Sequence, residues 1–215
     1  MRYIQVIISL LLFSLSCSYE PVITAWEDGK IPYYLKGDFS GRDLDYMDQA
    51  MNSWESVCGV QFHLVEPRAN AYEIRRVNGY QWTSSIGENN VICFMDYVNG
   101  ATPLGHLRHE LGHCLGLLHE HQRPDRDQYV IIVWENILPE YKFNFESRNN
   151  PLITEEDYDY DFDSIMHYHS TGFSINGEET IVPRDGREIG RTDELSEIDI
   201  LKAREIYGLP VSNEY

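Results

Sequence analysis

The feature that most constrains this chain is the segment from His109 to His119, which reads HELGHCLGLLH. His109 and His113 are four positions apart, so on a helix they lie on one face, one turn apart. Gly116 is suited to end that helix, because glycine readily adopts the positive φ that a tight turn needs. His119 can then come back as a third nitrogen ligand. Three histidines of this kind fit a tetrahedral zinc with one open position, the arrangement of catalytic rather than structural sites.

Glu110 lies between the first two histidines and leans toward the same side of the helix. A carboxylate there suits a general base that acts on a zinc-activated water. The alternative is an ordinary amphipathic helix with hydrogen-bonded histidines. Chance agreement with the five fixed positions is on the order of one in 10⁵ for ordinary residue frequencies. We therefore predict one Zn2+ per chain.

Composition limits the partners that the chain can have. The 215 residues suit one large domain or two small lobes, and a hydrophobic content of 42% is enough for a real core. The formal net charge of −18 repels nucleic acid and anionic membrane surfaces, so we expect neither as a partner. Two readings of the acidity stay open: solubility of a secreted protein, or a preference for basic substrates.

The amino-terminal segment has the pattern of a secretory signal. Arg2 precedes an apolar run over residues 4–15, which is too short for a comfortable membrane span. Small residues fit a cut before Cys17 or before Tyr19, and we take residues 1–18 as the signal peptide. We expect a secreted protein. The alternative is a lipid-anchored form, held at the cell surface through Cys17.

The cysteines do not form a metal motif. Four are present, at positions 17, 58, 93 and 114, and none of them shows the C-x-x-C spacing. Three remain after the signal segment, and an odd number cannot all pair within one chain. We therefore expect Cys114, on the zinc helix, to pack as a small apolar side chain.

Apolar spacing predicts strands and helices in the first half and mostly irregular structure in the second. Strands are expected at 29–35, 60–65, 72–77 and 91–94, and a short apolar run follows at 129–133. A helix is predicted at 42–55, capped by Ser40, and a final helix at 195–207. The residues on the buried face of the first helix are expected to be Leu44, Met47, Ala50, Met51 and Trp54. This order indicates an α+β fold with a cleft between two lobes.

The segments around the histidines resemble the astacin family of metzincin zinc peptidases. The resemblance rests on HELGHCLGLLHE with RPDRD after it at 123–127, and on SIMHY at 164–168, which matches the Met-turn of the family. WEDGKIPY at 26–33 and IGRTDELSEIDI at 189–200 match as well. The resemblance implies a two-lobed peptidase domain over 19–215. A mixed sheet and the zinc helix would form the N-terminal lobe, about 19–116, and the C-terminal lobe, about 117–215, would be mostly irregular with a final helix.

The resemblance also implies roles for individual residues. His109, His113 and His119 would be the zinc ligands, and Glu110 the general base and later proton donor. Tyr168 would be the mobile phenol that ligates zinc at rest and bonds the oxyanion during reaction.

Two further residues would give structural support. Met166 would form an apolar floor beneath the metal, and Glu120 would lie near the buried amino terminus of the mature enzyme. The implied activity is that of an endopeptidase that hydrolyses peptide bonds in protein or peptide substrates, and we expect a monomer.

The sequence departs from the family pattern in its cysteines and in its amino terminus. Cys58 matches one half-cystine, but Leu209 stands where its usual partner would be, so a disulfide-poor, bacterial-type member is expected. Little chain separates the signal from Trp26, so signal removal itself should produce the competent amino terminus. A zinc-stabilised binding module without turnover is the rival reading; it would lack the base or the tyrosine, and Glu110 and Tyr168 are both present.

Overall fold

A computed structural model of the chain describes residues 25–76, 91–94, 103–190 and 193–208. The predicted signal peptide, which includes Cys17, lies outside these ranges. The described residues form six strands, three α-helices and several short 3-10 helices. Among them, no helix is both long and apolar enough to cross a membrane.

The first strand and the first helix follow the sequence prediction closely. β1 spans Lys30–Lys36 and α1 spans Gly41–Cys58. Ser40 caps α1: its hydroxyl accepts from the Asp43 amide, and the Asp43 carboxylate accepts from the Ser40 amide at 2.8 Å. Such a reciprocal cap satisfies two amides that the first turn leaves without helical partners. The helix ends at Cys58, three residues beyond the predicted end, and Gly59 follows with φ of +71°.

The sheet of the first half has the order β2-β1-β3-β4, where β2 is Gln61–Leu64, β3 is Tyr72–Arg76 and β4 is Val91–Phe94. All three described pairings are parallel. The link from β1 to β2 runs through α1, and such a crossover returns the chain in the same direction. The mixed character that we expected is therefore not seen among the described strands.

The first apolar cluster lies between this sheet, α1 and the zinc helix α2, Pro103–Cys114. Met47, Ala50, Met51 and Trp54 of α1 are buried as predicted, and Trp54 Nε1 donates to the Arg108 carbonyl of α2 at 3.0 Å. Leu44 differs, since it is 40% exposed. In the first turn the inward position belongs to Asp43, which caps the helix and pairs with Arg76.

The second half is built mainly from 3-10 turns around a second apolar cluster. β5, Val130–Ile132, pairs antiparallel with β6, Ile181–Pro183. The last helix, α3, spans Glu197–Ile206 and packs on α1, and its Ala203 belongs to the first cluster. The two clusters confirm the predicted two-lobed α+β architecture. The 3-10 helices are Glu27–Gly29, Glu120–Gln122, Arg126–Gln128, Trp134–Asn136, Pro139–Phe145 and Glu155–Asp157.

Candidate active site

The three predicted histidines meet at the end of α2. His109 and His113 lie one turn apart on this helix, which stops at Cys114. Gly116 has φ of +94°, and the Leu117 amide returns to the Gly112 carbonyl at 3.1 Å. This turn brings His119 back against the helix. The ligand atoms of the three histidines all lie within 4.8 Å of one another.

The inward nitrogens are Nε2 atoms without a proton. His119 Nε2 is 3.1 Å from His113 Nε2 and 3.3 Å from His109 Nε2. His109 Nδ1 lies 2.7 Å from the Ile165 carbonyl, and His113 Nδ1 lies 2.8 Å from the Leu117 carbonyl. Because a carbonyl oxygen only accepts, these Nδ1 atoms carry the hydrogen, and each Nε2 keeps its lone pair.

His119 is oriented by a side chain instead of a carbonyl of the backbone. Its Nδ1 lies 3.2 Å from Gln122 Oε1, and Gln122 Nε2 donates to the Asn144 carbonyl at 3.0 Å. The second bond fixes the amide so that its oxygen faces the histidine. All three rings therefore have an acceptor behind them, as metal-binding histidines almost always do. Sequence reasoning missed Gln122, since no spacing rule points to it.

The protonation state of the cluster also fits a cation. Burial lowers the pKa of His113 to about 3, with repulsion from His109 as the next cause. Burial likewise lowers the pKa of His109 and of His119. Three neutral imidazoles whose lone pairs converge repel one another, and a metal ion between them turns this repulsion into ligation. The donor set, three nitrogens, suits Zn2+.

Glu110 lies on the same helix, next to the histidines. It is 4% exposed, and its Oε1 is 3.7 Å from His106 Nδ1, one helical turn earlier. Burial lowers the pKa of His109, and the charge of Glu110 partly opposes that shift. The same charge adds to the rise that burial causes in the pKa of Tyr168. The charge of the carboxylate therefore acts on both His109 and the phenol.

Met166, the predicted floor of the metal site, packs against α2 at Gly112. It is 2% exposed, and a Cβ built on Gly112 would come within 2.6 Å of its Sδ atom. This side of α2 thus has no space for a side chain at position 112. The Met166 carbonyl accepts from the Glu120 amide at 3.2 Å, which joins the Met-turn to the residue after His119.

Asp199 holds the Met-turn in place from α3, where it also completes the cap with Ser196. Its carboxylate accepts from the Ser164 hydroxyl at 2.6 Å and from the Ile165 amide at 2.9 Å. The Ile165 carbonyl in turn accepts from His109. Two hydrogen bonds thus connect this carboxylate to His109 through Ile165. Its only sequence signal is the capping pattern, a serine with an acidic residue three positions later.

Tyr168 packs its ring against the third histidine. The ring centres of Tyr168 and His119 are 4.3 Å apart, and His121 lies at 4.2 Å. Burial raises the pKa of the phenol, and the charge of Glu110 adds to this. The hydroxyl therefore stays protonated at neutral pH and can donate a hydrogen bond.

The Glu120 carboxylate, which we expected near the buried amino terminus, has three described hydrogen-bond donors. It is 2% exposed, and its Oε1 accepts from Arg123 Nη1 at 3.0 Å and from the Asp161 amide at 2.8 Å. Its Oε2 accepts from Lys202 Nζ at 2.6 Å. Residues 1–24 lie outside the described part, so the pairing with a free amino group stays an expectation. Nothing in the sequence pattern pointed to Lys202.

The sequence profile of the peptidase family described as Astacin matches residues 19–208. The chain belongs to the astacin family. Zinc binding in this family agrees with the three converging histidines.

Individual astacin relatives cover most of the chain. Zinc metalloproteinase nas-6 of Caenorhabditis elegans is 34% identical over 185 residues, which are 85% of this chain and 53% of the relative. Bone morphogenetic protein 1 of Xenopus laevis is 35% identical over 206 residues, 88% of this chain and 28% of the relative. The chain thus spans about half or less of the length of these curated relatives.

A solved structure supports the same assignment. High choriolytic enzyme 1 of Oryzias latipes, a hatching enzyme zinc-protease, superposes with a TM-score of 0.70 and 29% identity. The match covers 87% of this chain and 94% of that one. Myroilysin, at 21% identity and a TM-score of 0.62, shares the fold. Cys58 and Cys114, the two cysteines whose side chains the structure describes, are buried free thiols.

Proposed function

We propose that this astacin is a secreted zinc-dependent endopeptidase with its active site at the end of α2. The observation that carries the proposal is the convergence of three histidine Nε2 atoms, with Glu110 next to His109 on the same helix. His109, His113 and His119 would hold one Zn2+ per chain. When bound, the zinc supplies Lewis acidity, which polarises a peptide carbonyl and lowers the pKa of water.

The chain's own residues carry the proton transfers. Glu110 takes a proton from the water that attacks the scissile carbonyl carbon, and then gives that proton to the leaving nitrogen. Its burial at the cluster limits competition from bulk water. The protonated phenol of Tyr168 donates a hydrogen bond to the oxygen on which negative charge develops. Met166 and Glu120 act as structural support by holding the segments that carry these groups.

The substrate would be a protein or peptide bound in an extended conformation. Such a peptide gains affinity by pairing its main chain with an exposed sheet edge. Two segments upstream of α2 are candidates for this edge. Val91–Phe94 forms one edge of the described sheet, and residues 81–84 lie outside the described residues. The apolar segment at 4–15 supports secretion through a signal peptide of residues 1–18, followed by a peptidase domain over 19–215.

The proposal is tested with Glu110→Gln, which keeps the shape of the side chain but cannot accept the proton. We expect zinc to stay bound while kcat for peptide cleavage falls by about 10²–10⁴. Zinc per chain and kcat are measured on the same preparation. Glu135→Gln, a change on an exposed 3-10 turn, is the matched control and should leave both unchanged. A Glu110→Gln variant with near-normal kcat would assign the proton transfer to another group.

A further inference from the structure

The carboxylate that follows the third histidine is neutralised from within the fold. We propose that Lys202 is a positioning residue whose ammonium supplies the positive charge that Glu120 needs, so that the metal site assembles independently of the chain's amino terminus. This proposal rests on the proposed function only in taking the histidine cluster as the metal site.

Lys202 is an unusual residue for its position. It lies on the inner face of α3 and is 4% exposed. Its Nζ is 2.6 Å from Glu120 Oε2 and 2.8 Å from Glu155 Oε2. Lysine is almost never fully buried unless it is paired. Burial alone would lower the pKa of Lys202, but the charges of Glu120 and Glu155 hold it above its usual value, so the side chain is an ammonium.

The pair is connected directly to the candidate metal site. Glu120 follows His119 in sequence, and its amide donates to the Met166 carbonyl. Its carboxylate also accepts from the Asp161 amide, shortly before the Met-turn. Through the Glu120 carboxylate, Lys202 therefore holds two segments in place: the segment that carries His119 and the segment that carries Met166.

Removing the ammonium would leave two buried carboxylates facing each other. Arg123 would still pair with Glu120, but that guanidinium also binds Asp125 at 2.8 Å. Glu155 would lose its described cation. Breaking a buried pair by removing one partner is strongly destabilising, because the other charge stays buried without compensation. The effect should reach His119 first, since Glu120 is its neighbour.

The resemblance to the astacin family implies a different cation for Glu120, the free amino group of the mature chain. An amino-terminal extension distinguishes Lys202 from the free amino group as the partner of Glu120, because it displaces the amino group and leaves Lys202 in place. Four forms of the chain starting at Tyr19 are compared: the wild type, the wild type with a short Gly-Ser extension, Lys202→Met and Lys202→Arg. Lys30→Met, at an exposed lysine in β1, is the matched control.

The readouts are the Tm of the zinc-loaded protein, zinc retained against a competing chelator, and kcat with KM. We expect the extended wild type to match the wild type within about 2-fold in zinc retention and kcat. Lys202→Met should lower Tm by about 10 °C and weaken zinc retention by about 10–100-fold. Lys202→Arg should recover most of both losses, and Lys30→Met should change neither.

A further variant covers the case in which Lys202→Met does not fold. Glu120→Gln/Lys202→Met removes both charges of the pair, so it should fold and retain zinc better than Lys202→Met alone. If the double variant is no better, or if Lys202→Met behaves like Lys30→Met, charge neutralisation by Lys202 is wrong. Loss of zinc in the extended wild type would assign the role to the amino terminus. Because Tm and zinc retention do not depend on cleavage, these outcomes stand even if the peptidase activity is absent.

Discussion

Asp199 offers a quantitative test of how the fold positions His109. Its carboxylate accepts from the Ser164 hydroxyl, the Ile165 amide and the Ser196 amide, at 2.6, 2.9 and 3.0 Å. Asp199→Ala leaves these three donors without their acceptor. At about 1–3 kcal/mol for each donor, we expect a loss of about 3–9 kcal/mol in the free energy of unfolding.

Asp199→Asn should be milder, because it keeps one oxygen for the two amides. Its NH2 group can face the Ser164 hydroxyl, which is able to turn and accept. The variant then loses mainly the charge assistance of the bonds, about 1 kcal/mol for each of two. For a chain of this size, about 2 kcal/mol corresponds to a Tm lower by about 4–8 °C.

The decisive assay is zinc affinity, because stability alone does not separate positioning from general damage. Asp199→Ala loosens the turn that carries the acceptor of His109, so we expect zinc affinity to fall by about 10–100-fold in a competitive chelator titration. Glu197→Ala, at an exposed position in the first turn of the same helix, serves as the control. If Asp199→Ala lowers stability but leaves zinc affinity at the wild-type value, the positioning argument is refuted.

Three other predictions follow from single contacts. Tyr168→Phe should lower kcat by roughly 10²–10³ with zinc content unchanged, and an unaltered kcat would remove the phenol from the mechanism. Burial raises the pKa of Asp161 to about 6, so its contribution to stability is present below about pH 4 and is lost as the pH rises through 6. Between pH 4 and 8, the free energy of urea unfolding of the wild type should therefore fall by about 2–3 kcal/mol relative to that of Asp161→Asn. The same pH dependence in both proteins would contradict this. Gly112→Ala should cost about 1–3 kcal/mol by crowding Met166, although Ala normally favours a helix; equal unfolding midpoints would show that the space exists.

Much of the fold could be predicted because its signals are local. The Ser40 cap and the apolar face of α1 each depend on residues close in sequence, and the structure has them within a few residues. The spacing from His109 to His119 likewise needs only the geometry of one helix and one turn. The parallel pairings depend on how distant segments meet, and no local pattern shows this.

The supporting residues could not be predicted for the same reason. In the last helix the apolar Ile198 and Leu201 are only half-buried, whereas the charged Asp199 and Lys202 are buried. A charge is buried only when its partners arrive from elsewhere, here from the Met-turn and from Glu120. Gln122 is similar, since its role appears only once the Asn144 carbonyl orients its amide.

The central claim is that His109, His113 and His119 hold a zinc that peptide cleavage requires. The most direct measurement is cleavage of a proteome-derived peptide library by one preparation in three states: as purified, after zinc removal, and after zinc is restored. We predict that cleavage falls to background without zinc and returns when about one zinc per chain is added back. Full cleavage by a preparation shown to be free of metal would contradict the account.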